Sequence, residues 1–185
     1  RMEDVVTVTK MHNNTPRVEL LYRRNLSMNV ANEKTTTQMV DFAAKNTASQ
    51  AGVELVGHSF YADYSTKPPR YCMLAETKEP VSEEKRAELI EILDSQLKDV
   101  NEKYFKYRRW GMLNTPEVLI LKPKTYWDYR ESLRGRGVVL NQIKPVTVIN
   151  SKEREDFFFS HVETENSSAV EEWKNSKKES AASKA

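Results

Sequence analysis

The chain has 185 residues, 38% hydrophobic and 30% charged, with a mean hydropathy of -0.71 and a net charge of +2. That is material for one modest core, with no run of about 18 apolar residues to span a membrane. The near-balance of charge argues against a dedicated non-specific nucleic-acid binder. The single cysteine, Cys72, excludes an internal disulfide framework and suits a reducing, cytoplasmic setting.

The chain opens on Arg1-Met2-Glu3-Asp4, with no apolar signal segment, and passes at once into strand-like sequence. It reads as a piece of something longer. Val5 to Thr9 and Arg17 to Tyr22 alternate as strands around the turn residues of His12 to Pro16, which predicts a hairpin. A short strand over Leu26 to Val30 follows. A helix starts after Thr35 or Thr36 and ends before Gly52. Two further strands, Val53 to Tyr61 and Tyr71 to Thr77, are joined through Pro68-Pro69.

The longest predicted helix runs from Ser82, a cap followed by Glu83 and Glu84, to the basic end at Arg108-Arg109. A strand over Glu117 to Leu121 and a helix over Tyr126 to Arg134 come next. An apolar stretch from Val138 to Ile149 is then interrupted by Asn141-Gln142-Ile143-Lys144-Pro145. From Ser151 the composition turns to Ser, Glu, Lys and Ala, which reads as a largely disordered tail, although Phe157-Phe158-Phe159 suits a short helix packed back on the domain. The fold class is α+β: a small mixed sheet flanked by helices and preceded by a β-hairpin.

Little chemistry follows from composition alone. His12, His58 and His161 lie far apart, and none has the spacing of a metal site, so no metal ligand is assigned. Cys72 sits mid-strand and reads as a small core residue rather than a nucleophile. Ile90, Leu93, Leu97, Val100, Tyr104 and Tyr107 form a stripe on the long helix. Such a stripe either covers the sheet, which is the commoner use, or docks a partner. Tyr104 to Trp110 mixes aromatic and basic residues without any recognised nucleic-acid motif. Lys144, on a polar loop just after Gly135 and Gly137, is placed to meet negative charge as a compact cation.

Several short patterns occur together in order. Arg1-Met2-Glu3-Asp4-Val5-Val6, Arg23-Arg24-Asn25 and Glu33-Lys34-Thr35 come first, followed by Tyr61-Ala62-Asp63 with Ser65-Thr66 and Pro68. Asn101, Tyr104 and Arg108, then Lys122-Pro123 with Thr125-Tyr126, and Gly137 to Lys144 complete the series. Over roughly residues 1 to 149 this resembles the plant auxin-responsive acyl acid amido synthetases, of the adenylate-forming, firefly-luciferase-like superfamily. Three departures stand out. Glu3 and Lys124 occupy positions where the family has glycine, and Pro145-Val146-Thr147 replaces its Val-Pro-Arg.

The resemblance implies a ligase that activates a carboxylic acid with ATP and Mg²⁺ and passes the acyl group to an amino acid amine, releasing AMP. It implies that residues 1–25 are the terminal hairpin of a large adenylating domain and 26–34 a hinge. Residues 35–150 would then be a mobile C-terminal domain packing on that large domain, with 151–185 as tail. Asp4 would hold the ribose of ATP, and Arg23, Arg24 and Asn25 would approach the hinge. Lys34 would swing toward the phosphates, and Lys144 would meet charge developing at the α-phosphate. Mg²⁺ and most of ATP would belong to the large domain, so this chain by itself would be inactive. The competing expectation is a non-catalytic interaction module that uses the helix over 82–109.

Overall fold

The computed structural model describes residues 4–23, 27–138, 143–164 and 167–182. Strands β1 (Asp4–His12) and β2 (Thr15–Arg23) pair antiparallel as a separate two-stranded sheet, with Asp4 opposite Arg23 and the turn at Asn13, whose φ is 52°. In the second sheet β3 (Leu55–Asp63) is antiparallel to β4 (Arg70–Thr77), and β4 is parallel to β5 (Glu117–Ile120). The fold is therefore mixed α+β, a small sheet between two layers of helices.

β4 is the centre of that sheet and is buried on both faces. Tyr71, Met73 and Ala75 face one core with α1 (Thr37–Ala51) and α2 (Glu83–Val100), while Cys72 and Leu74 face a second core. A central strand covered on both sides needs an unbroken apolar run rather than alternation, and Tyr71 to Ala75 supplies one. Leu89, Leu93 and Leu97 of α2 are fully covered, each such side chain being worth about 1.5–3 kcal/mol of burial. Cys72 is the small core residue expected of it.

The helix ends obey local chemistry. Thr36 Oγ1 accepts from Met39 N at the start of α1, and Gly52 closes the helix at φ 67°. Ser82 Oγ accepts from Lys85 N at the start of α2.

The structure departs from expectation in three places. The helix expected over 82–109 breaks at Asn101, whose side-chain oxygen accepts from Lys103 N and Tyr104 N and starts α3 (Glu102–Arg109). Its apolar stripe is consumed by the first core: Leu93, Leu97 and Tyr104 are buried there, with Ile90, Val100 and Tyr107 packed around them. The expected stripe is thus covered by the chain's own core. The strand expected over 26–30 reduces, among the described residues, to a single bridge between Met28 and Thr35.

The third departure is the tail. Two helices form there, α5 (Lys152–Phe159) and α6 (Ser168–Ala182), which cover the second face of the sheet together with α4 (Thr125–Gly135). Phe158, Phe159, Ala169 and Val170 are buried there, and Trp173 Nε1 donates to Asp156. A few apolar side chains on one helix face outweigh the polar composition that suggested disorder.

Candidate functional site

The segment that carries Lys144 is held by the open edge of β3. Phe60 N donates to Thr147 O and Ile149 N donates to Phe60 O, both at 2.8 Å, which lays residues 147–149 parallel to the strand. Ser59 Oγ donates to the Val146 carbonyl. Having given its only hydrogen there, Ser59 accepts from the Tyr126 hydroxyl, 2.8 Å away. Burial drives the Tyr126 pKa far up against the opposing Ser59 bond, so this donor stays protonated. Val146, Val148 and Ile149 are buried, whereas Lys144 and Pro145 are exposed.

Two adjoining clefts share residues 143–147 as a wall. The larger, ≈ 710 Å³, is completed by Thr37, Leu133, Val138, Ser151 and Arg154. The other, ≈ 510 Å³, has an apolar floor at Leu55, Val56, Gly57 and Tyr126 and carries Lys45, His58 and Arg130. Lys45 is tied to Asp41 at 2.7 Å. The ammonium of Lys144 and the guanidinium of Arg130 form no ion pair with another described residue. Lys144 thus stands two residues before a backbone fixed at Val146, with its charge unpaired among the described residues, an arrangement that suits an anionic group brought from outside.

The other residues singled out from sequence do not gather around Lys144. Lys34 is exposed at φ 54°, its N–H donating to Asn29 Oδ1 at 3.2 Å. Thr37, three residues on, reaches the larger cleft, but Lys34 does not line it. Asp4 and Arg23 lie opposite each other in the separate hairpin. Arg24 and Asn25 lie outside the described residues, as do Asn141 and Gln142 beside Lys144.

Sequence reasoning missed three buried polar clusters, because each is closed by a partner dozens of residues away along the chain. In the first, Glu33 accepts from the Val30 and Ala31 N–H groups, both at 2.7 Å, and from the Tyr71 hydroxyl. In the second, Glu76 accepts from Lys124 N at 2.7 Å and Tyr126 N at 2.8 Å, fixing the start of α4. In the third, Arg70 donates from Nε to Asp63 at 2.7 Å and also to Glu117, while Ser167 of the tail donates to Glu117 at 3.0 Å. Asp63 also accepts from Ser65 N, an Asp-x-Ser turn that was readable locally.

Asp63, Cys72 and Glu117 bring ligand-type atoms within 4.8 Å of one another. The group does not fit Mg²⁺, which prefers exposed carboxylates and water: Arg70 already donates to both carboxylates, and burial pushes the Cys72 thiol well up, keeping it protonated. The cluster is a braced junction of β3, β4, β5 and α6. Arg108 braces α2 against α3 similarly, donating to both Asp94 oxygens at 2.8 and 2.9 Å. Burial pushes the Asp94 carboxyl up, but Arg108 and Lys98 more than offset it and leave it below the ordinary range.

Residues 35–153, which supply all of the smaller cleft and all but Arg154 of the larger, match the profile of the GH3 family C-terminal domain. The chain belongs to the GH3 family. It is 27% identical over 147 residues to the jasmonoyl–L-amino acid synthetase JAR4 of Nicotiana attenuata, and 26% identical over 148 residues to the indole-3-acetic acid-amido synthetase GH3.10 of Arabidopsis thaliana. Each alignment takes in 78% of this chain and 25% of the relative, so the GH3 chain described here spans about a quarter of those proteins. Its fold is that of the corresponding part of the GH3.15 acyl acid amido synthetase, with a TM-score of 0.69 and 20% identity over 88% of this chain and 30% of that one. Among the described residues no helix is long and apolar enough to cross a membrane.

Proposed function

We propose that this GH3 chain is the C-terminal, mobile part of an ATP-dependent acid–amino acid ligase, working in the cytoplasm on the large domain of the same enzyme. In this reading the enzyme joins a carboxylic acid to an amino acid amine through an acyl-adenylate, with Mg²⁺ and most of ATP held by the large domain. The observation that carries the reading is Lys144: a cation unpaired among the described residues, exposed just before a backbone pinned to β3 through residues 146–149, at the position matching the family pattern. A point charge so fixed needs little reorganisation to stabilise negative charge developing at a phosphate. Lys34, exposed between two buried neighbours, would serve the phosphates in the other domain orientation. Asp4 would hold the ribose hydroxyls from the hairpin, with Arg23, Arg24 and Asn25 leading into the hinge.

The test is acid-dependent pyrophosphate release by a polypeptide that also carries the upstream part found in the relatives. Lys144→Ala is expected to lower the rate about 100-fold or more, the usual effect of losing one electrostatic contact to the transition state. Asp4→Ala is expected to raise the KM for ATP, and the 185-residue chain alone is expected to release no pyrophosphate. Wild-type rates for Lys144→Ala would overturn the assignment.

A further inference from the structure

The loop that presents Lys34 is fastened to the small domain by a one-way chain of hydrogen bonds. Tyr71 has one hydroxyl hydrogen and gives it to the Glu33 carboxylate. Thr35, 2.7 Å from that hydroxyl, must therefore donate to Tyr71. Asn101 Nδ2 in turn donates to Thr35 Oγ1 at 2.8 Å and to the Glu33 carbonyl at 3.3 Å. The opposite end of the same amide caps α3. Two backbone bonds between Met28 and Thr35, each 2.8 Å, close the loop. Glu33, Thr35, Tyr71 and Asn101 are all buried, Asn101 being the most exposed at 7%. The Tyr71 ring is wedged edge-on against Tyr104, 5.2 Å between centroids.

Lys34 lies between two of these anchors with its side chain outside and its backbone at φ 54°, a conformation that a lysine adopts when its surroundings impose it. A buried carboxylate bonded to two loop N–H groups and a tyrosine is a costly way to hold a mere connector.

We infer that Glu33, held by Tyr71, Thr35 and Asn101, is a positioning residue that makes loop 28–35 part of the small domain and aims Lys34 from it. The inference rests on the ligase reading only for what Lys34 is aimed at. Any rotation of the small domain then carries Lys34 as a rigid outpost, its direction set by the α2–α3 junction rather than by the preceding hairpin.

Amide hydrogen exchange on the 185-residue chain tests this directly, using Tyr71→Phe and Asn101→Asp. The second variant keeps an acceptor for the α3 cap but has no hydrogens to give Thr35. Both should speed exchange at the Val30 and Ala31 amides at least tenfold, while the Val40 and Ala44 amides of α1 and the Leu93 and Leu97 amides of α2 keep wild-type rates. Unchanged rates at Val30 and Ala31, or acceleration only in step with the core amides, would overturn the positioning role. In the longer polypeptide Tyr71→Phe should lower the kcat of whichever half-reaction Lys34→Ala lowers, with KM little changed. If Lys34→Ala affects neither half-reaction, the ligase role of Lys34 falls, and the exchange experiment still decides the clamp.

Discussion

The ring of Tyr126 lies so close to Gly57 that a Cβ at Gly57 would fall 2.4 Å from Tyr126 Cδ2. The ring cannot retreat freely, because its hydroxyl holds Ser59 and its backbone N–H holds Glu76. Gly57→Ala should therefore destabilise the chain by about 1–3 kcal/mol, the range for overpacking a filled site. The cost should shrink when Tyr126 is also cut to leucine, since the two changes share one contact. Denaturant midpoints of the single and double variants check this; a Gly57→Ala protein as stable as wild type would mean that the ring is free to move. The effect matters for function because Tyr126 and Ser59 support the carbonyl of Val146, two residues from Lys144.

Lys124 offers the opposite experiment. It precedes α4 at φ 69°, a left-handed position where the family pattern has glycine, and no side-chain cap bond compensates it. A non-glycine residue in that region costs roughly 1 kcal/mol or more, of which the greater unfolded-state freedom of glycine returns part. Lys124→Gly should thus raise stability by about 0.5 kcal/mol while keeping the backbone bond from residue 124 to Glu76. A lower denaturant midpoint in the glycine variant would contradict this and would mean that the exposed lysine side chain makes a contribution of its own.

The Lys124 position was legible in sequence only as a departure from a family pattern, and the same division runs through the molecule. Caps at Thr36, Ser82 and Gly52 could be read because their chemistry is complete within a few residues. The break at Asn101 was not, since the apolar spacing continues through it from Leu97 to Tyr104 and only the tertiary partners of its amide show why the helix stops. Glu33 with Tyr71, Arg70 with Glu117 and Glu76 with Tyr126 are separated by dozens of residues, and no local period relates them. The tail misled for another reason: composition averages over a helix, whereas docking α6 takes only a short face such as Ala169, Val170 and Trp173. As for the site, Lys144 was picked out by its polar loop and by resemblance, but the β3 edge that fixes its backbone became visible only in the fold.

His58 supplies a pH dependence whose sign is fixed by its surroundings. It lines the smaller cleft with Nε2 3.2 Å from Asp41 Oδ1, and Lys45 faces the same carboxylate. Burial pushes the imidazole pKa down, the Asp41 charge opposes this, and Lys45 pushes it down again, leaving it below the ordinary value of 6.5. The unfolded chain therefore takes up the proton first on acidification, so the stability due to neutral His58 is fully present above about pH 6.5 and is lost as pH falls through the folded pKa. Compared with wild type between about pH 7.5 and 5, His58→Gln should lose stability less steeply as the solution is acidified. Imidazole titration by NMR isolates the cause: Asp41→Asn should lower the His58 pKa further, and Lys45→Met should raise it. Equal pH slopes for wild type and His58→Gln would show that the fold does not lower the proton affinity of the imidazole, and would overturn the burial argument for this side of the cleft.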